Sequence, residues 1–179
     1  FAYDLEITRV TCLSREIDYV FGIDIPCLTD RGRDRDMTPD LIELQRKSFG
    51  PLGVFLRRCF ADLVSAMKHP EDTGFYCYRA IESLRHHCAH ANDASHDSKT
   101  KQWQLFRAIS GVSESEIMAL KTAADPLRHG EPAEVTGEMR ATMFTLTWKI
   151  VDSYLQTVSM EIQRSQDAAT ASLAPSARD

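Results

Sequence analysis

Tyr78-Arg79-Ala80-Ile81-Glu82-Ser83-Leu84-Arg85-His86-His87-Cys88-Ala89-His90 is the stretch on which the fold turns. At about 100° per residue, Cys77, Ile81, Leu84, Cys88 and Ala91 fall on one arc, which is apolar. Arg79, Glu82, His86 and His90 line up on the opposite arc, within roughly a quarter of the circumference. One apolar face at helical spacing predicts an amphipathic helix from Phe75 to about Ala91, opened by Thr73 and Gly74. The polar arc is either a solvated face with pairs three and four residues apart, or the wall of a cleft or of a subunit contact.

Working outward, the flanking segments carry the same period. Thr38-Pro39 gives a capped helix start, with proline at the first helical position, leading into Leu41, Ile42 and Leu44. Gly50, Pro51 and Gly53 interrupt it. Val54, Phe55, Leu56, Phe60, Leu63, Val64 and Met67 then carry a second helix to His69-Pro70. Beyond the central helix, Trp103, Leu105, Phe106 and Ile109 mark a fourth. Ser113 with Glu116 is a capping box that opens a short fifth helix through Ile117 and Leu120. The last helix runs from about Thr136 to Gln163 with Met139, Met143, Leu146, Ile150, Tyr154 and Val158 in one stripe, and the Ala- and Ser-rich sequence from Ser165 reads as a frayed tail.

The N-terminal segment is different. Tyr3, Leu5 and Ile7, and then Ile17, Tyr19, Phe21, Ile23 and Ile25, alternate in the strand manner. Two strands joined around Ser14 and Arg15 make a β-hairpin that is only marginally stable alone, so it must lie on the helical body or extend another sheet. Thr29 to Asp36 alternates in charge and reads as a solvated linker. The expectation is a mainly α protein, an antiparallel helical bundle with a small N-terminal β-hairpin: 1–37 hairpin and linker, 38–164 bundle, 165–179 disordered tail.

Composition narrows the function. With 179 residues and 43% apolar content, the chain supports one domain with a real core. The net charge of −5 provides no general field for nucleic acid, so any such contact needs a local patch. Five cysteines without a CxxC pair read as reduced and intracellular, and no run is long enough to span a bilayer. A cytoplasmic protein with no membrane partner is expected.

Two constellations carry chemistry. Pro126-Leu127-Arg128-His129-Gly130-Glu131 sets Arg128 and His129 side by side between two helical patterns. Guanidinium stabilises phosphoryl charge and imidazole moves protons near neutrality, so the pair suits phosphate chemistry. As a bland alternative it is a turn, with Arg128 paired to Glu131 or Glu134. The second constellation is Arg79, Glu82, Arg85, His86, His87 and His90 on the central helix. His86 and His90 have the spacing of zinc ligands, with His96 or Glu82 to complete a shell, but the HExxH glutamate and any cysteine pair are missing, so no metal or cofactor is expected. Cys88, on the apolar arc, is a poor nucleophile.

Arg-Ala-Ile-Glu-Ser-Leu on an early helix, followed by Leu-Arg-His-Gly just before a long final helix, resembles the HEPN superfamily of helical bundles over roughly Asp40 to Gln163. The resemblance implies a metal-independent endoribonuclease of a toxin or antiphage defence system, acting as a homodimer on RNA and restrained by an antitoxin or other protein partner. The family signature is an Arg followed by Asn, Asp or His, then a His after four to six intervening residues. Arg85-His86 with His90 satisfies this spacing on the early helix. His129-Gly130 has the family's position but carries Ala124 where the Arg would stand, with Arg128 adjacent and Lys121 the nearest upstream base.

By this resemblance the catalytic set is Arg128, His129, Arg85 and His90, supported by Arg79, Glu82 and His86. An imidazole, His129 or His90, would move the 2′-hydroxyl or leaving-group proton, while Arg128 or Arg85 would hold the phosphate. Glu82 would orient Arg79 or a histidine. Arg85 and His90 differ by about 140° around one helix, so they could share a phosphate only in a composite cleft between protomers or at a helix break. The alternative is a non-catalytic HEPN-like dimerisation or sensing module of a larger assembly.

Overall fold

A computed structural model of the chain describes residues 36, 38–131 and 134–173, with no account of the side chains of 40, 41 and 159–173. The described protein is mainly α-helical. Six helices follow in order: α1 (Thr38–Ser48), α2 (Gly53–Lys68), α3 (Thr73–Ala91), α4 (Lys99–Ser110), α5 (Glu114–Arg128) and α6 (Gly137–Leu173), with a short 3-10 turn at Pro70–Asp72. No strand occurs among the described residues, and the expected hairpin and linker over 1–37 lie outside them except for Asp36.

α3 is the hub, packing against α2, α4, α5 and α6. Surrounded in this way, it buries Cys77, Tyr78, Ala80, Ile81, Leu84, Cys88 and Ala89, together with the polar Thr73, Ser83, Arg85 and His87. Its buried arc is therefore wider than a two-faced helix requires. α2 and α3 run antiparallel: Thr73 bonds the Ala66 carbonyl, Arg79 pairs with Asp62, and His86 and His90 stack on Phe55. Gly74 makes the approach of α3 to α5 possible, because a Cβ there would stand 2.9 Å from the Ala123 carbonyl oxygen.

Helix ends follow their local chemistry. Ser113 and Glu116 form both halves of the expected capping box, and Ser98 caps α4 by accepting from Lys101 N–H. Gly111, at φ 69°, ends α4. α2 ends on a group that the sequence did not reveal. Arg140 of α6, 1% exposed, donates to the carbonyls of Ala66 (3.3 Å) and Met67 (2.7 Å), and its guanidinium lies over the Phe144 ring. A cation on the last carbonyls of a helix satisfies orphan acceptors and meets the negative end of its dipole.

Four expectations are corrected. α5 does not stop near Leu120 but continues through Pro126 to Arg128. α6 does not end near Gln163 but runs to Leu173, consistent with the high helix propensity of alanine; 174–179 lie outside the described residues. Ala91, expected in the core, is exposed at the last position of α3. Met139, at the start of the α6 stripe, is 46% exposed, while Met143, Ile150 and Tyr154 are buried as the stripe requires. No helix among the described residues is long and apolar enough to cross a membrane.

Candidate functional site

The Pro126–Glu131 segment is a helix terminus. Glu131 N–H donates to the Pro126 carbonyl at 2.9 Å, Gly130 N–H to the Leu127 carbonyl at 3.2 Å, and Gly130 takes φ 77°. These two bonds with a left-handed glycine are the Schellman motif. Proline is accommodated two residues before the end of α5, and Gly130 supplies the conformation that side chains resist. Arg128 thus occupies the last helical position and His129 the cap, not a loop, and Arg128 adds positive charge where the helix dipole is negative.

Arg128 does not pair with Glu131 or Glu134. Its Nη1 lies 3.5 Å from Asp125 Oδ1, one turn back, and its guanidinium sits 5.7 Å from the centroid of the Tyr78 ring on α3. The side chain stays 37% exposed, and His129 beside it is exposed. Tyr78 is buried and stacks on Trp103 of α4, with centroids 6.2 Å apart. Burial, reinforced by the charge of Glu82, pushes its phenol up to about 12, so Tyr78 presents a neutral hydroxyl.

Arg85 lies over the same aromatic pair, with its guanidinium 5.2 Å from the Trp103 centroid. It is 4% exposed. Nη1 donates to Gln102 Oε1 at 2.6 Å, and Nη2 lies 2.8 Å from His86 Nε2. Gln102 Nε2 in turn donates to the carbonyls of Ala94, Ser95 and Asp97, which fixes the α3–α4 loop and the orientation of the amide oxygen that Arg85 meets. Arg85 Nε is buried with no hydrogen-bond partner, and burial pulls the guanidinium below its usual range. An arginine has no lone pair to offer, so His86 must accept through Nε2 and carry its proton on Nδ1. Burial, and then the neighbouring Arg85 charge, lower the His86 pKa, in keeping with a neutral ring.

The structure therefore brings Arg85 and Arg128, one from each sequence constellation, onto a single Tyr78–Trp103 pair. It does not bring Arg85 to His90. The first is buried on Gln102 and Trp103, whereas the second is exposed and stacked on Phe55 at 5.1 Å. Glu82 does not orient Arg79 either: Glu82 pairs with Lys99 of α4 at 2.9 Å, and Arg79 is held by the buried Asp62 with the rings of Phe75 and Tyr76 beneath its guanidinium. Hydrogen bonding to Asp62 raises the Arg79 pKa further.

Sequence reasoning missed two polar groups. One is Arg140. The other is the contact between His87 and Tyr154, where ring nitrogen and hydroxyl stand 2.7 Å apart in the core and join α3 to α6. Burial, and then the charge of Lys47, lower the His87 pKa. The histidine run was visible in the sequence, but which of its three members faced inward was not. Cys59, Cys77 and Cys88 are buried, and burial pushes the Cys59 thiol up, away from nucleophilic use. Among the described residues, no three His, Cys, Asp or Glu side chains gather as ligands for a metal ion.

No curated protein and no solved structure matches the chain. One family does, over residues 41–159, a span that runs from α1 into α6 and contains both arginines, Tyr78, Trp103 and His129. The chain belongs to that family, which is described as Domain of unknown function (DUF8168) C-terminal domain.

Proposed function

We propose that the helical body is a HEPN-like antiparallel bundle and a metal-independent endoribonuclease of a toxin or antiphage defence system. The observation that carries the reading is Arg128, held over Tyr78 with its guanidinium still partly open to solvent, next to the exposed imidazole of His129. That pair can meet a phosphodiester from outside. Arg85, buried against Trp103, acts by holding the aromatic floor on which Arg128 rests.

In the proposed step, His129 takes the ribose 2′-hydroxyl proton, the 2′-oxygen attacks phosphorus, and the bond from phosphorus to the 5′-oxygen breaks. A second imidazole protonates the leaving 5′-oxygen, leaving a 2′,3′-cyclic phosphate and a 5′-hydroxyl. His129 of a second copy is the candidate for that acid, which makes a homodimer with a composite cleft part of the reading. Arg128 stabilises charge on the phosphorane-like transition state.

The test is cleavage of a labelled pool of structured RNA and tRNA in EDTA by wild type, Arg128→Ala, His129→Ala and His90→Ala. The expected result is cleavage lost in the first two variants and retained in His90→Ala. Cleavage that survives His129→Ala, or absent cleavage from a folded dimer, refutes the reading. One alternative has its own support. The Schellman motif accounts for Arg128 as a helix-end cation and His129 as the cap residue, and neutral partners hold Arg85, as a non-catalytic dimerisation or sensing module of a larger assembly would also allow.

A further inference from the structure

A second feature lies away from Tyr78. α1 packs against α2 and leaves a groove of about 420 Å³ lined by Leu44, Gln45, Ser48, Phe49, Arg57 and Phe60. Its lining is apolar where it meets solvent: Phe49 is 79% exposed. Phe60, on the groove floor, packs onto Trp148 of α6 with ring centroids 6.3 Å apart. By helical periodicity Arg57, Phe60, Val64 and Lys68 share an arc of roughly 80° on α2, so an apolar strip has a cation at each end. Val64 is 43% exposed. Neither Arg57 nor Lys68 has a carboxylate partner among the described residues, although Arg57 also donates to the Ser48 carbonyl. An exposed apolar strip between uncompensated cations fits an acidic, apolar segment.

The chain contains such a segment. Glu16-Ile17-Asp18-Tyr19-Val20-Phe21-Gly22-Ile23-Asp24-Ile25 has three acids, no base and six large apolar residues, and it lies outside the described residues. In extended form its odd-numbered apolar positions share one side and Asp18 and Asp24 the other, about 20 Å apart. Arg57 and Lys68 are about 16 Å apart along α2. Residues 26–37 bridge from this segment to the start of α1, and twelve residues span up to about 40 Å, more than the ~16 Å length of α1. We propose that residues 16–25 dock in cis on the α1–α2 groove, with Ile17, Tyr19, Phe21 and Ile23 on the Phe49–Phe60–Val64 strip, and with the long side chains of Arg57 and Lys68, one at each end of the strip, reaching past the edge of the segment to Asp18 and Asp24 on its outer side. A tether this short keeps the segment at millimolar effective concentration beside its site. This inference is independent of the ribonuclease reading.

Amide hydrogen exchange on the full chain tests it. In wild type, residues 16–25 are expected to exchange at least about tenfold more slowly than the same peptide free in solution. Arg57→Glu with Lys68→Glu is expected to remove about tenfold of that protection, and Phe49→Ala to reduce it, with far-ultraviolet circular dichroism reporting an intact helical body. Adding Asp18→Arg with Asp24→Arg to the double charge reversal is expected to restore protection. Free-peptide rates in wild type overturn the proposal, as does protection indifferent to both Arg57/Lys68 reversal and Phe49→Ala. Protection lost on dilution overturns the docking in cis and points to a second copy.

Discussion

Replacing Arg85 and Arg128 one at a time with alanine separates the buried from the exposed half of the site. Arg85→Ala removes a charge-assisted bond to Gln102 at 2.6 Å, worth roughly 1.5–3 kcal/mol, and a guanidinium on Trp103 worth about 1 kcal/mol. It also leaves Gln102 Oε1 without its donor and a void where a nearly fully buried side chain stood, for roughly another 1–3 kcal/mol. Against this stands relief from burying a cation with no carboxylate beside it and an unpartnered Nε, on the order of 1–3 kcal/mol. The net expectation is a loss of about 3 kcal/mol. Arg128→Ala gives up a 3.5 Å exposed contact with Asp125 and a partly exposed position on Tyr78, together about 0.5–1 kcal/mol. Urea unfolding at pH 7 with a common m-value reads both directly. In thermal melts the same numbers correspond to roughly 6–12 °C for Arg85→Ala and no more than about 4 °C for Arg128→Ala. Equal losses, or a larger loss for Arg128→Ala, would refute the division of labour, because Arg128 would then be part of the scaffold and its loss of activity uninformative.

Acidification should destabilise the fold through its histidines. His87 and His86 titrate below the ordinary histidine range in the folded state, so below about pH 6.5 the unfolded chain binds more protons and stability falls as pH drops. In His87→Phe that slope should be shallower by up to about 1.4 kcal/mol per pH unit, and an unchanged slope would refute the assignment. At the other end of the scale, Lys149, and then Ser113, hold the Glu116 carboxyl down to about 2. Its contribution is present above the unfolded carboxylate range and lost as pH falls from about 4.5 through 2. Because Lys149 is largely in solvent, Glu116→Gln should cost only about 1 kcal/mol at pH 7, with the gap to wild type closing in that window during chemical unfolding. Gly74→Ala should cost roughly 1–3 kcal/mol in urea, since its Cβ would press on the Ala123 backbone; a neutral effect would mean α3 and α5 can separate freely.

The helices legible in the sequence are those whose stability comes from one apolar face and a local cap. α3 shows its period, and Ser113-x-x-Glu116 announces α5 through groups three residues apart. What was hidden depends on long-range neighbours. Arg85 and His87 look like surface residues because a single chain segment cannot reveal that α3 is enclosed by four other helices. Arg140 reads as an ordinary charge on a long helix until the ends of α2 and α3 arrive around it. The continuation of α5 was obscured for a different reason. Proline signals a break because it removes one N–H and crowds the preceding turn, yet this N–H is lost in a last turn whose remaining ends are closed by the Gly130 cap.

The same cap shows why residue chemistry marked the location of the site more readily than its geometry. Arg128-His129 is a pair suited to phosphate, and a cap with glycine in the left-handed conformation gives the Arg128 cation and the cap residue His129 a structural reason to be there. The two roles reinforce each other physically. Two backbone bonds close the end of α5, so the Cα of Arg128 is fixed, and the Tyr78 ring restricts where its guanidinium can go. A phosphate-binding arginine gains most when its rotamer freedom is already spent before the ligand arrives. By contrast, the donors of Arg85 are consumed by Gln102 and His86, so its spacing to His90 along the chain carries no corresponding proximity in space. Spacing within a helix predicts a shared face only when burial leaves both side chains on it, and between Arg85 and His90 burial divides them.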